Sequence, residues 1–506
     1  MTRTAGILLH ATSLPGPHGT GDLGNGARAF VEFLAAAGQG VWQFLPVNPA
    51  GVGGSPYSGA SAFAGDPMLI SLVDLVDEGW LTATELPPEI PAARTDHQAA
   101  RELRDVHLRR AFTRFRPGRE YERFEREAAR WLDDHALFQA LHRADPGRSW
   151  TTWPQRLRWR DPAALAAATA THATEISYLK FQQFVFAQQW ARLRLAARVR
   201  GIQLIGDIPI FVAHESADVW AHARYFQLDE AGEPARVAGV PPDYFSATGQ
   251  RWGNPLYRWN RLRRDGYRWW IDRFTTQLER FDLVRLDHFI GFVRYWEIPA
   301  SDPTAAHGRW MRGPGDDFFH QVRQALGRLP FIAEDLGSVT PAVRALRDAF
   351  GLPGMRVFQF AFDTHDDAAG FLPHSYLPNS VAYSGTHDND TIVGWFEQPG
   401  PRTPARAADE RAAAIEYLAG PGARHLHGPV HREVLRALYA SGADTVIVPM
   451  QDVLGLGSDA RMNLPGQAEG NWRWRVPAGA LTDSVARQLR DLARVYHRGA
   501  ASRTTR

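Results

Sequence analysis

Eight short runs of strand-forming residues are spread along the 506-residue chain, and amphipathic helical patterns lie between most of them. The runs are Gly6–His10, Val41–Val47, Ile202–Phe211, Phe281–Phe289, Pro330–Leu336, Met355–Phe360, Ser380–Asp388 and Thr445–Asp452. All are rich in Val, Ile, Leu and Phe, the composition of strands buried on both faces. Helical periodicity recurs at Ala27–Ala37, Tyr267–Arg280, Asp317–Leu326 and Pro341–Phe350. This alternation predicts an α/β fold, a closed (β/α)8 TIM barrel spanning residues 1–506 as one unit. The spacing is uneven. From Val47 to Ile202 the chain far exceeds the ~30 residues of one βαβ unit. Helical patterns at Gln98–Phe115, Tyr121–Arg143 and Glu175–Val199 fill that gap, so a helical insertion is expected over residues 75–174. A smaller excursion rich in Gly, Pro and Trp is expected over residues 213–260. Both are expected at the C-terminal face of the barrel.

Composition narrows the chemistry. Formal charge is +2, with Lys180 as the sole lysine, so no basic field points to nucleic acid. No stretch approaches the ~20 apolar residues of a membrane helix. Between Met1 and Pro17 the only apolar run is Ile7-Leu8-Leu9, shorter than a signal-peptide core, and the expectation is a cytoplasmic protein with no membrane partner. Cysteine is absent, which excludes disulfides, thiolate catalysis and zinc–thiolate sites. Most of the 17 tryptophans belong in a core of this size, but an excess also suits sugar-binding faces.

Three acidic stretches follow strand-type runs: Arg285-Leu286-Asp287-His288-Phe289, Ala333-Glu334-Asp335-Leu336-Gly337 and Thr386-His387-Asp388-Asn389-Asp390. They stand at the ends of the fourth, fifth and seventh predicted strands, where a parallel barrel gathers residues at its C-terminal mouth. Side chains alternate along a strand, so Arg285 and Asp287 point to the same side. A guanidinium there favours the ionised carboxylate that a nucleophile requires, although the pair read alone also fits a structural contact capping the next helix. Glu334 at an apolar strand end, near another negative charge, suits a general acid; read alone, it also fits a helix N-terminal acid. Asp335 should point the other way and cap a helix. His387 and Asp388 can hold adjacent sugar hydroxyls. A metal is not expected, because no further His or Glu stands at ligand spacing. Two carboxyl groups facing across an acetal are what glycosidic bond chemistry requires, and the third can hold the sugar.

Several longer stretches make the pattern specific: His10-Ala11-Thr12-Ser13-Leu14-Pro15-Gly16, Ser55-Pro56-Tyr57, Gly206-Asp207-Ile208-Pro209-Ile210, Arg461-Met462-Asn463-Leu464-Pro465-Gly466 and, above all, the run from Pro241 to Pro255, PPDYFSATGQRWGNP. In these the chain resembles the 4-α-glucanotransferases, the amylomaltases or disproportionating enzymes of glycoside hydrolase family 77 in the α-amylase clan. The resemblance runs from Gly6 to about Arg475. It implies Asp287 as nucleophile, Glu334 as general acid/base and Asp388 as transition-state stabiliser. It implies Arg285 and His387 in the subsite of the cleaved glucose, with Tyr57, Asp207, Trp252, Asn254 and Asn463 contacting the glucan. The Gly253-Asn254-Pro255 and Asn463–Gly466 loops would close over it. No cofactor is implied, and the partners are maltooligosaccharides, amylose or glycogen-type α-glucans, with the protein as a monomer. Many members carry Gly-Tyr-Gly before Ser-Pro-Tyr. Here Val52 stands in that stretch and offers no stacking ring. Read without the resemblance, Tyr57 also fits a turn tyrosine, Trp252 loop packing and Asp207 a helix cap. The rival activities are an α-amylase-type hydrolase with the same triad and a non-catalytic glycan-binding barrel.

Overall fold

A computed structural model describes residues 3–242, 248–363, 367–400, 402–467 and 469–499. Residues 243–247 of the Pro241–Pro255 run and the side chain of Val52 lie outside the described part.

Twelve strands occur among the described residues: β1 (Thr4–Leu8), β2 (Val41–Gln43), β3 (Gln203–Pro209), β4 (Arg236–Val240), β5 (Gln250–Pro255), β6 (Leu283–Asp287), β7 (Arg294–Pro299), β8 (Arg309–Arg312), β9 (Phe331–Ala333), β10 (Gly354–Val357), β11 (Ser380–Tyr383) and β12 (Thr445–Pro449). Eight of them close a parallel barrel in the order β1-β12-β11-β10-β9-β6-β3-β2, and β2 returns to β1. Six of these eight fall inside runs expected from sequence, while β1 begins two residues before its run and β10 one residue before. Apart from β1 they are shorter than the runs, because several runs continue into loops at the C-terminal mouth. The Phe281–Phe289 run stops at Asp287, where His288 turns into left-handed backbone (φ 53°, ψ 51°).

Helices wrap the barrel with their apolar faces inward. Asn25–Ala36 buries Ala27, Phe30, Val31, Phe33 and Leu34; Asp316–Leu326 buries Phe318, Phe319 and Val322. The link from β10 to β11 carries only 3₁₀ turns among the described residues.

Residues 75–174 hold the helices His97–Arg114, Arg119–Ala128 and Leu132–Ala144, with shorter ones after them. The single pattern read over Tyr121–Arg143 is two helices. Trp131 leaves helical backbone between them and its ring stacks on Phe63 at 6.4 Å. The 27-residue helix Ala173–Val199 serves both layers. Its first half packs Phe181 against Phe112 and Phe115 of the insertion. Its second half sets Trp190 against Phe44 and Phe281 of the barrel wall. From the same helix, Gln183 closes two hydrogen bonds with the backbone of Gly65 (2.8 and 2.9 Å), and Gln189 closes two with Ser71 (2.7 and 3.0 Å). These bonds tie down the long segment after β2, which carries Tyr57.

The remaining four strands form an antiparallel sheet in the order β5-β4-β7-β8. Strands β4 and β5 come from the excursion after β3. Strands β7 and β8 come from the segment after β6, which sequence patterning did not single out. Both loops leave the C-terminal ends of barrel strands, so this sheet stands at the mouth.

Gly6 marks the tightest approach in the barrel wall. A Cβ there would meet the Val41 carbonyl oxygen at 2.3 Å and the Val41 Cβ at 2.4 Å, atoms of a paired strand that cannot swing aside. Overpacking of this kind typically costs about 1–3 kcal/mol. Gly6→Ala is expected to lower the urea unfolding midpoint by that much stability, and an unchanged midpoint would mean that β1 and β2 can separate freely.

Candidate active site

Strand alternation places Arg285 and Asp287 on the inner side of β6, with Leu286 buried between them on the outer side. In register, Asp207 of β3 lies opposite Arg285. The Arg285 Nη1 donates to both Asp207 carboxylate oxygens (2.9 and 2.8 Å) and lies 2.8 Å from Asp287 Oδ1. Burial opposes the Arg285 charge, and the two carboxylates more than offset it, holding the guanidinium well above its ordinary pKa. Tyr57 donates its hydroxyl to Asp207 Oδ2 at 2.8 Å. Burial and the Asp207 charge raise the phenol well above its ordinary pKa, so it stays a donor.

Glu334 directly follows β9. Its Oε2 accepts the backbone N–H of His288 at 2.7 Å, which sets its carboxyl group beside the residue after Asp287. This bond accounts for the left-handed turn at His288. Such a conformation costs a non-glycine residue about 1–2 kcal/mol, and here it aims an N–H at a buried carboxyl. Burial pushes Glu334 well above the carboxylate range; the Asp287 charge adds to the rise, while Arg285 and the His288 N–H oppose it. Burial also lowers the His288 imidazole to about 4, so that side chain is neutral.

Asp388 lies five residues past the end of β11. Asn463 Nδ2 donates to its Oδ1 at 2.6 Å, Arg461 holds its backbone carbonyl at 2.5 Å, and His387 Nε2 is 3.3 Å from the same Oδ1. The His387 ring stacks on Tyr57 at 4.9 Å with 17° between planes, and burial lowers its pKa. Asn463 N–H donates to the His387 carbonyl at 3.0 Å, locking the 463–466 loop to the β11 loop.

These residues line one cleft of about 580 Å³, large enough for a short sugar chain. Asp287, Glu334, Asp388, Arg285, His387, Tyr57, Trp252, Asn254 and Asn463 all border it. Trp252 comes from β5, is 38% exposed and meets the His288 ring edge-on at 4.9 Å. Asn254 donates to the Val212 carbonyl at 2.9 Å, which fixes the strand that carries Trp252.

Two expectations change. Asp207 does not border the cleft: its side chain is fully buried behind Tyr57 and Arg285, which occupy both its oxygens. It orients the residues that do reach the cleft. Asp335 caps no helix. Its carboxylate is buried, accepts the Met355 N–H at 2.7 Å and pairs with Arg347. The next helix begins at Pro341 behind Thr340, with no side-chain cap. Alternation correctly turned Asp335 away from the mouth, and the layer between barrel and helices received it.

Sequence reasoning missed Trp472, Gln467, Trp310 and Phe360, which also border the cleft. Trp472 adopts φ 64° and stands 5.8 Å from the Tyr57 ring. An isolated Trp after Gly470-Asn471 in a strandless stretch carries no local signal of this. Among the described residues no group of three or more His, Asp or Glu could hold a metal ion.

A parallel barrel with a buried, protonated carboxyl beside an Arg-paired carboxylate, above a sugar-sized cleft, defines the class of (β/α)8 enzymes that act on glycosidic bonds. The family model of glycoside hydrolase 77, 4-alpha-glucanotransferase, matches residues 9–482, and the chain belongs to that family. The 4-alpha-glucanotransferase of Thermus thermophilus is 47% identical to it, over 98% of this chain and 99% of that one. That of Synechocystis is 46% identical, over 98% of each. A solved amylomaltase from Streptococcus agalactiae, in complex with acarbose, matches with a TM-score of 0.91 at 36% identity, covering 98% of this chain and all (100%) of that one.

The raised Glu334 pKa predicts a stability profile. Above its ordinary value of 4.5 the unfolded chain ionises Glu334 while the folded protein keeps it protonated. The folded state then binds more protons, so stability falls as pH rises, until the raised folded pKa is passed. Each pH unit in that window removes up to about 1.4 kcal/mol. Glu334→Gln cannot ionise and is expected to gain stability relative to the wild type as pH rises above 5 in urea melts. Parallel profiles would show that Glu334 ionises as readily in the fold as outside it.

Proposed function

We propose that this protein is a retaining 4-α-glucanotransferase in which Asp287 is the nucleophile, Glu334 the general acid/base and Asp388 the group that stabilises the transition state. The observation that carries this is the pairing of unlike environments. Asp287 faces a guanidinium at 2.8 Å, while buried Glu334 retains a proton next to it. A buried carboxyl group beside a carboxylate paired with a guanidinium is an arrangement suited to acid–nucleophile chemistry.

In the first step an Asp287 oxygen attacks the anomeric carbon of an α-1,4-linked glucose. The C1–O4 bond breaks, and the Glu334 proton goes to the departing oxygen. In the second step the 4-hydroxyl of an acceptor glucan gives its proton to Glu334 and attacks C1, and the C1–Asp287 bond breaks. Two inversions retain the α configuration. Asp388, held by Asn463, would bind sugar hydroxyls as positive charge develops on the ring. The protein's own groups supply nucleophile and proton, so no cofactor enters either step. The substrates are maltooligosaccharides and the α-1,4 chains of amylose, starch or glycogen. The working form in this reading is the monomer.

Transfer has to outcompete hydrolysis. Water at about 55 M faces an acceptor at about 1 mM, so the preference must exceed ~10⁴, or roughly 6 kcal/mol. Subsites that orient the acceptor raise its effective concentration. Exclusion of water by Trp252 and the 463–466 loop adds to this.

Incubation with maltotriose is expected to yield free glucose together with a ladder of longer chains; glucose and maltose alone would mean a hydrolase. Asp287→Asn should lower turnover by at least ~10³ without changing the fold, and a loss of less than tenfold would remove Asp287 as nucleophile. Trp252→Ala should raise the ratio of hydrolysis to transfer about tenfold or more while lowering total turnover. An unchanged ratio would mean that acceptor binding alone sets the selectivity.

A further inference from the structure

A second groove, of about 940 Å³, opens where the helical insertion meets the excursion after β3, and it shares no lining residue with the cleft. Its walls carry five arginines against three acids. Arg160 is matched by Asp134 and lies over the Trp220 ring at 4.4 Å. The other four, Arg158, Arg224, Arg258 and Arg261, have no carboxylate within ion-pairing distance among the described residues. Their hydrogen bonds go to neutral groups: Arg158 to the Thr151 and Ala231 carbonyls, Arg224 to the Tyr225 hydroxyl, Arg258 to the Leu228 carbonyl and Arg261 to the Arg224 carbonyl. Burial and the neighbouring Arg261 charge lower the Arg258 pKa, the mark of a positive cluster without a counterion. Elsewhere in this chain arginines regularly meet carboxylates, as at Arg109, Arg143, Arg402 and Arg406. The same groove exposes the indole of Trp159, 41% accessible, beside Arg158.

We infer that this groove is a binding site for a phosphorylated sugar, with the phosphate held by Arg224, Arg258 and Arg261 and the sugar face stacked on Trp159. Guanidinium forks match phosphate oxygens, and a flat indole suits the apolar face of a pyranose. The site adjoins the segment that leads out of β5. Arg258 lies three residues past the end of β5, and its N–H donates to the Tyr225 carbonyl at 2.6 Å. Occupancy therefore bears on the strand that presents Trp252 to the cleft.

Calorimetric titration of the full-length protein tests this with glucose 1-phosphate, inorganic phosphate and glucose as separate probes. Glucose 1-phosphate is expected to bind with a Kd below about 1 mM, and more tightly than either other probe. Arg224→Gln/Arg261→Gln, which changes two exposed side chains, should weaken it at least tenfold and leave maltotriose turnover unchanged in the absence of sugar phosphate. Trp159→Ala should weaken it as well. The inference is overturned by an absence of binding heat. It is overturned equally by affinity that survives the double substitution, since the ligand would then sit elsewhere, or by equal affinity for inorganic phosphate. Binding is read directly, so the result stands independently of the transferase assignment.

Discussion

Arg285 is buried in the barrel mouth and shared between two carboxylates, Asp207 behind it and Asp287 in front. A guanidinium removed from water is tolerable only when its donors are met, and loss of one partner of such a group typically costs about 3–5 kcal/mol. The cluster therefore holds its own geometry. Asp207 has its oxygens taken by Arg285 and Tyr57, Tyr57 stacks on His387, and His387 is bonded through its carbonyl to Asn463, which grips Asp388. A chain of contacts thus runs from β3 and β6 across the mouth to the loop after β11. Asp287 and Asp388 are set by one buried charge.

The barrel supplies the scaffold on which that charge acts. Parallel strands bring the ends of β3, β6, β9 and β11 to one rim, and short rigid strands position side chains better than loops can. One backbone departure sits where the chemistry is. The left-handed turn at His288 ends β6 at Asp287 and spends an N–H on Glu334. Around this rigid floor the walls come from inserted segments: the 3₁₀ turn at Tyr57, the strand of Trp252 and the loop of Asn463. Rigid floor and inserted walls divide the labour, with bond chemistry below and access of glucan and water above.

Much of this was legible in the chain. Each of the eight runs overlaps one barrel strand, because strands buried on both faces need continuous apolar residues. The three acids are recognisable at the fourth, fifth and seventh strands because a parallel barrel aims strand ends at one place. The runs overshot at the mouth, since apolar and β-branched residues also fill the loops there. Asp335 was placed on the correct side of the strand but given the wrong partner: its partners Arg347 and Met355 lie 12 and 20 residues on. The sheet partners β7 and β8 were missed because they pair with each other across a short link, and only β7 reaches β4, some sixty residues earlier.

By itself the sequence determined which chemistry was available and in what order it entered the barrel: Asp287, Glu334 and Asp388 after the fourth, fifth and seventh strands, no thiol, and the family's Pro241–Pro255 run. Tertiary structure alone decided what each of those groups became. It buried Asp207 beneath the floor and kept Asp287 at the surface of the cleft, though both follow apolar strand residues. It brought Tyr57 to His387 across 330 residues and raised the Glu334 pKa by excluding water from it. The reason is physical. Strand period and residue type are local properties written in a few consecutive residues. Burial, charge pairing and proton affinity depend on which distant groups arrive at the same point, and that is settled only when the barrel closes.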